Sequence, residues 1–150
     1  MRLAVAAALL LVAAAPGDKA MHHATGTFTV TMTPEAQGAA PAGGLPTARM
    51  ALHKVFSGAV TGEATGTMLS AGTPGQVAAY VAVDQFKGSV DGREGGFLLL
   101  HRGTMSSAGA ELSVTIAPDS GTGALKGIAG TLSIDPSGGV HRYDLAYTLP

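Results

Sequence analysis

The feature that most narrows what this chain can fold into is a strict period-two alternation at residues 22–32. Ala24, Gly26, Phe28, Val30 and Met32 share one face and Thr25, Thr27, Thr29 and Thr31 the other. A helix would scatter both sets around its axis, whereas a strand sends successive side chains to opposite sides of a sheet. Threonine and valine favour that conformation as well. The alternation returns at 49–58, 61–70, 76–90, 96–105, 111–117, 128–134 and 140–149, with Gly, Pro, Asp and Ser between the runs. The reading is an all-β chain of eight strands.

Short connections place consecutive strands side by side as an antiparallel meander, and Asp91-Gly92 and Pro136-Ser137-Gly138-Gly139 have the composition of hairpin turns. Residues 34–47, rich in Ala, Gly and Pro, read as a loop. A Gly-Thr-apolar triplet begins at Gly26, Gly66, Gly103 and Gly130, at intervals of 40, 37 and 27 residues, too uneven for a repeat protein. Glycine inside a strand lets a sheet bend sharply or a backbone pack closely, which favours a closed eight-stranded barrel over an open sandwich. Ser120-Gly121-Thr122-Gly123-Ala124-Leu125-Lys126-Gly127 has neither the spacing nor the following helix of a phosphate loop and reads as a tight turn.

Composition removes several function classes. With 46% hydrophobic and 13% charged residues in 150, the chain has enough apolar surface to fold as one small domain. Nine Lys and Arg scattered against ten acidic residues make no basic stripe, so no nucleic-acid partner is expected. The absence of Cys excludes disulfides, thiol nucleophiles and thiolate zinc sites. No G-x-S-x-G elbow is present either. Arg2 followed by thirteen apolar residues reads as a signal peptide over 1–20, leaving 21–150 as the domain and a periplasmic or secreted location. If Met21 is the true start, the location is cytoplasmic. No later segment is long enough to span a membrane as a helix, and a homo-oligomer is compatible with the chain.

Three histidines, His53, His101 and His141, fall on different strands without carboxylates at ligand spacing, so no metal or cofactor is expected. Alternation puts His101 on the side of Phe97 and Leu99, with Arg102 opposite. The last strand carries His141, Tyr143, Leu145 and Tyr147 on one face. In 76–86, Tyr80, Asp84 and Phe86 oppose Val77, Val81 and Val83, and either set fits the interior. With the Tyr80 side inward, the binding candidates are Tyr80, Asp84, Phe97, Leu99, His101, Tyr143 and Tyr147, an apolar lining with a few polar tips. The competing expectation is that Tyr and His straddle core and solvent at the barrel ends.

Residues 24–28, Lys54-Val55-Phe56-Ser57-Gly58, 80–82, 88–93, 97–105, 118–123 and His141-Arg142-Tyr143 follow one another in an order that resembles the bacterial DUF3224 family over 22–150. The resemblance implies a closed eight-stranded barrel similar to allene oxide cyclase, more distantly to dirigent proteins. Such barrels hold an apolar ligand and steer its cyclisation or coupling by excluding water and enforcing one conformer. The family seldom carries a leader such as 1–20. An acidic residue often stands where this chain has Thr67, which argues against a pairing of Lys54 with a carboxylate inside the barrel.

The expected function is binding of a small apolar molecule in the barrel interior. An isomerase or cyclase is the alternative, with His101 and Tyr80 as catalytic candidates and Asp84 as orienter. A structural or interaction role without a ligand is the third.

Overall fold

The computed structural model describes residues 19–73 and 76–150. The proposed leader therefore lies almost wholly outside the described residues. The chain forms β1 (His22–Gly38), β2 (Thr47–Gly58), β3 (Val60–Thr73), β4 (Val77–Val90), β5 (Arg93–Ser106), β6 (Gly109–Ile116), β7 (Ala129–Asp135) and β8 (His141–Thr148). These eight strands close into one antiparallel barrel in chain order. Closure is made by β1 against β8, from His22 opposite Tyr147 to Phe28 opposite His141. The β4–β5 turn is Asp91-Gly92 with both φ angles positive, 47° and 78°, the geometry that matches strand twist in a two-residue hairpin.

Two departures from the sequence reading shape the molecule. The loop read at 34–47 shrinks to residues 39–46, because β1 continues past Pro34 through a bulge and pairs Ala36, Gln37 and Gly38 with Arg49, Ala48 and Thr47. Proline is tolerated there because the other edge of β1 has no partner beyond Phe28, and the bulge accommodates its missing donor. The wall of the barrel is also uneven. β7 and β8 have 7 and 8 residues against 12 to 17 in β1 to β5. Strands β1 to β5 thus rise above a low wall made by β7 and β8. Moreover, β6 and β7 pair at one position only, Thr115 opposite Thr131.

The opposite end is plugged. After β6 the chain turns back under the barrel and buries Leu125 and Ile128 completely. Thr122 stands in for a missing strand, its N–H donating to Gly96 O at 2.8 Å and its Oγ1 accepting from Gly96 N at 2.9 Å. Ser120 does the same one step along, accepting from Leu98 N at 3.1 Å. The segment read from the sequence as a tight turn is thus a sheet extension and plug.

Above the plug the interior is filled by aromatic rings. Phe28 meets Phe56 at 5.2 Å, Phe56 meets Phe86 edge-on at 5.7 Å, and Phe86 meets Phe97 at 4.8 Å between centroids. Burial and ring geometry both favour this packing. The void left between Phe56, Val60, Phe86, Leu99, Leu132 and Leu145 is about 10 Å³, no larger than one water.

Candidate functional site

The interior changes character halfway up. On β2 the inward face runs Leu52, Lys54, Phe56, and on β4 it runs Ala82, Asp84, Phe86. The question left open by alternation is resolved in favour of the Tyr80 side, since Asp84 is 0% and Phe86 3% exposed while Val81 is 55% exposed. Lys54 reaches up one row and its Nζ donates to Asp84 Oδ2. His101 Nε2 lies 2.9 Å from the same oxygen, within ion-pair distance but too oblique for a hydrogen bond. Lys54 is therefore paired with a carboxylate inside the barrel, contrary to the expectation drawn from Thr67. Thr67 is exposed on the outer face, and the acid comes from β4 instead.

Asp84 occupies a notch in the wall. Its cross-strand partner is Gly66, where a Cβ would sit 2.1 Å from Asp84 Oδ1, so a side chain at Gly66 would displace the carboxylate. Oδ1 is buried and has no hydrogen-bond partner among the described residues. Burial pushes the Asp84 carboxyl up, but the His101 imidazole and the Lys54 ammonium outweigh it and hold the group below the usual carboxylate range. Tyr80, half-buried, is pushed up by burial and then by the Asp84 charge, so it remains a neutral phenol. The small remaining exposure of the cluster, 7% each, belongs to Lys54 and His101.

Direct cross-strand pairing defines what lies above. Met50, Met68, Ala82, His101 and Val114 form one row across β2 to β6, and Ser70, Tyr80, Gly103 and Leu112 form the next across β3 to β6. Met32 and Met105, also on inward positions, are 55% and 44% exposed because the low β7–β8 wall leaves this side uncovered. The result is an apolar, methionine-rich mouth above a charged cluster.

The seven binding candidates read from the sequence separate into two groups. Tyr80, Asp84 and His101 come together with Lys54, which is not among the binding candidates and whose pairing with a carboxylate the sequence reading argues against. Leu99 is buried level with Asp84, its direct partner across β4 and β5, and Phe97, Tyr143 and Tyr147 are buried in the packed half. Both tyrosine hydroxyls there are engaged: Tyr143 accepts from Val60 N at 2.9 Å and donates toward Ser57 O at 3.1 Å, and Tyr147 donates to Asp91 Oδ2 at 2.6 Å. An eight-stranded barrel with this many aromatic residues fills its own lower interior. His53 and His23 are exposed and pair with Glu63 and Asp144. Among the described residues no three His, Asp or Glu side chains converge as metal ligands, and no helix is long and apolar enough to cross a membrane.

A closed meander barrel with a buried lysine, aspartate and histidine beneath an open apolar rim defines the class of the protein. The chain belongs to the DUF3224 family, described as a protein of unknown function, whose pattern matches residues 24–147. It is similar to the crystal structure of a DUF3224 protein of unknown function from Shewanella oneidensis MR-1, with 39% identity and a TM-score of 0.81. The match covers 87% of this chain and 99% of that one. No curated protein matches this chain.

Proposed function

We propose that the protein binds a small molecule with an apolar body and one polar head at the open end of the barrel. The head meets Lys54 and His101, and the body lies against Met50, Met68, Tyr80 and Leu112. The observation that carries this reading is the buried Lys54–Asp84–His101 cluster. Taking charges out of water costs several kcal/mol each, and apolar residues of similar size would stabilise a barrel at least as well. Perturbed ionisable groups under a concave apolar surface are the usual marks of a ligand site. Methionine suits such a rim because its flexible thioether adapts to irregular shapes. The ligand remains above the cluster, because the void below has the volume of a single water.

The test uses fluorescence of 1-anilinonaphthalene-8-sulfonate, a probe with an apolar body and an anionic head. The outer face also exposes Leu69, Val81, Val83 and Leu100, so each variant needs a control there. Met68→Lys should abolish most of the enhancement and Val81→Lys should leave most of it. The opposite ranking would refute a site in the mouth.

A second reading, an isomerase or cyclase like allene oxide cyclase, draws support from the neutral Tyr80 phenol beside Asp84. Tyr80 or His101 would transfer the proton and Asp84 would orient His101. Residues 1–20, outside the family match, support export as the accompanying proposal.

A further inference from the structure

We infer that Lys54 is a nucleophile that captures apolar aldehydes and unhindered ketones as a protonated imine, with Asp84 as its counter-ion. The inference rests on the small-molecule reading above and names the chemistry of the ligand head. Three observations support it. Lys54 is 7% exposed and faces an apolar interior, the setting in which lysine serves as an imine-forming amine. Its Nζ is held by one carboxylate oxygen, and among the described residues its other N–H bonds have no protein partner. Lys54 and Asp84 already balance each other's charge, so a neutral carbonyl group enters at lower desolvation cost than a carboxylate.

The reaction balances within the cluster. Asp84 Oδ2 takes a proton from the Lys54 ammonium, and the free amine adds to the carbonyl carbon, forming the C–N bond as the C=O π bond breaks. A second nitrogen proton passes to the carbonyl oxygen. Asp84 returns its proton to that hydroxyl, which leaves as water, and the nitrogen lone pair completes the C=N bond. The net change is ammonium plus carbonyl compound to iminium plus water. The nitrogen begins and ends with one positive charge and retains an N–H for Asp84, so the ion pair survives. Adding the carbonyl compound thus leaves no buried charge unpaired, the main cost of altering such a pair. The alkyl body extends away from the filled lower interior, past Leu52 and the Met50–Met68 row.

The chain contains its own controls, because Lys19, Lys87 and Lys126 are exposed. Full-length protein is incubated with hexanal and sodium cyanoborohydride, digested, and each lysine scored by mass spectrometry. Lys54 should be hexylated ahead of the three exposed lysines. Asp84→Asn should slow labelling at Lys54 by about a hundredfold, the scale of a lost proton-transfer partner, and leave Lys87 and Lys126 unaffected. Lys54→Arg, which retains the charge opposite Asp84, should fold normally and show only slow labelling of exposed lysines. Labelling that follows solvent exposure, with Lys54 the slowest in the folded wild type, overturns the inference. Hexanal that displaces 1-anilinonaphthalene-8-sulfonate without labelling Lys54 also overturns it while leaving the binding reading intact. Absence of both displacement and labelling removes the two together.

Discussion

The ring of Tyr80 lies against Gly103, its direct partner across β4 and β5, so closely that a Cβ on Gly103 would sit 2.0 Å from a ring carbon. The same relation recurs around the barrel. Gly26 faces Tyr143, Gly66 faces Asp84 and Gly130 faces Tyr147. These four glycines are the ones that begin the Gly-Thr-apolar triplets; Gly26, Gly66 and Gly103 make room for the side chain opposite, whereas at Gly130 the close approach is to the backbone of Ala146 and Tyr147. Gly103→Ala should therefore cost about 1–3 kcal/mol, the range for overpacking. Combining it with Tyr80→Ala should recover much of that loss, a coupling measurable by denaturant unfolding of the double-mutant cycle.

The buried cluster should respond asymmetrically to substitution. Asp84→Ala leaves Lys54 buried without its carboxylate and should destabilise the fold by about 3–5 kcal/mol. Replacing the set together, Lys54→Met with Asp84→Leu and His101→Phe, should restore stability to near wild type or above it. Chemical unfolding of both proteins checks this. A triple variant less stable than the single one would mean that the cluster supports the barrel rather than a ligand.

Acid should unfold the protein through Asp84. Its pKa in the folded state lies below the unfolded value of about 4. The unfolded chain therefore binds the proton more readily. The stabilisation is fully present above that unfolded value and is lost as pH falls through the folded one. Thermal midpoints measured down an acid series should drop more steeply in wild type than in the triple variant.

Alkali should act at the plugged end. Tyr147 is pushed up to about 12 by burial and by its hydrogen bond to Asp91. Its folded pKa exceeds the unfolded value of about 10, so the stabilisation is complete below 10 and lost as pH rises through about 12. Tyr147→Phe should remove this dependence and cost about 2 kcal/mol at neutral pH, the value of a hydrogen bond to a charged acceptor. Ultraviolet titration of the phenolates together with thermal unfolding reads both.

The β6–β7 junction should be where the barrel opens first. With one paired position, the facing amides of Gly109–Ser113 and Leu132–Asp135 lack the ladder protection found across β3 and β4. Hydrogen exchange should show these facing amides unprotected long before those of β3 and β4 exchange.

Alternation and turn composition were sufficient for the strands, their order and the Asp91-Gly92 hairpin, because those features are local. The interior face of β4 was not legible. Hydropathy gives Val77, Val81 and Val83 at least as strong a claim to the core as Tyr80, Asp84 and Phe86, and only closure decides. Pro34 misled because a proline interrupts a strand only where its edge needs a donor. Lys54 carried a readable signal, a charge set between Leu52 and Phe56 on an otherwise buried face. What sequence lacks is its partner, since Asp84 lies 30 residues away and is brought near only by the tilt of the strands.

A cylinder fastened along one side by a single rung behaves less like a pipe than like a rolled sheet whose overlap can slide. Its girth is not locked by an unbroken ring of hydrogen bonds, so the roll can loosen at Thr115 and Thr131 while every other ladder stays intact. With their continuous ladders, the long β1–β5 wall and the plug beneath would keep their shape in such a loosening, and the change would fall on the bore near the charged cluster. If the mouth holds a ligand as proposed, guests of different width could share one floor without the fold having to unravel to admit them.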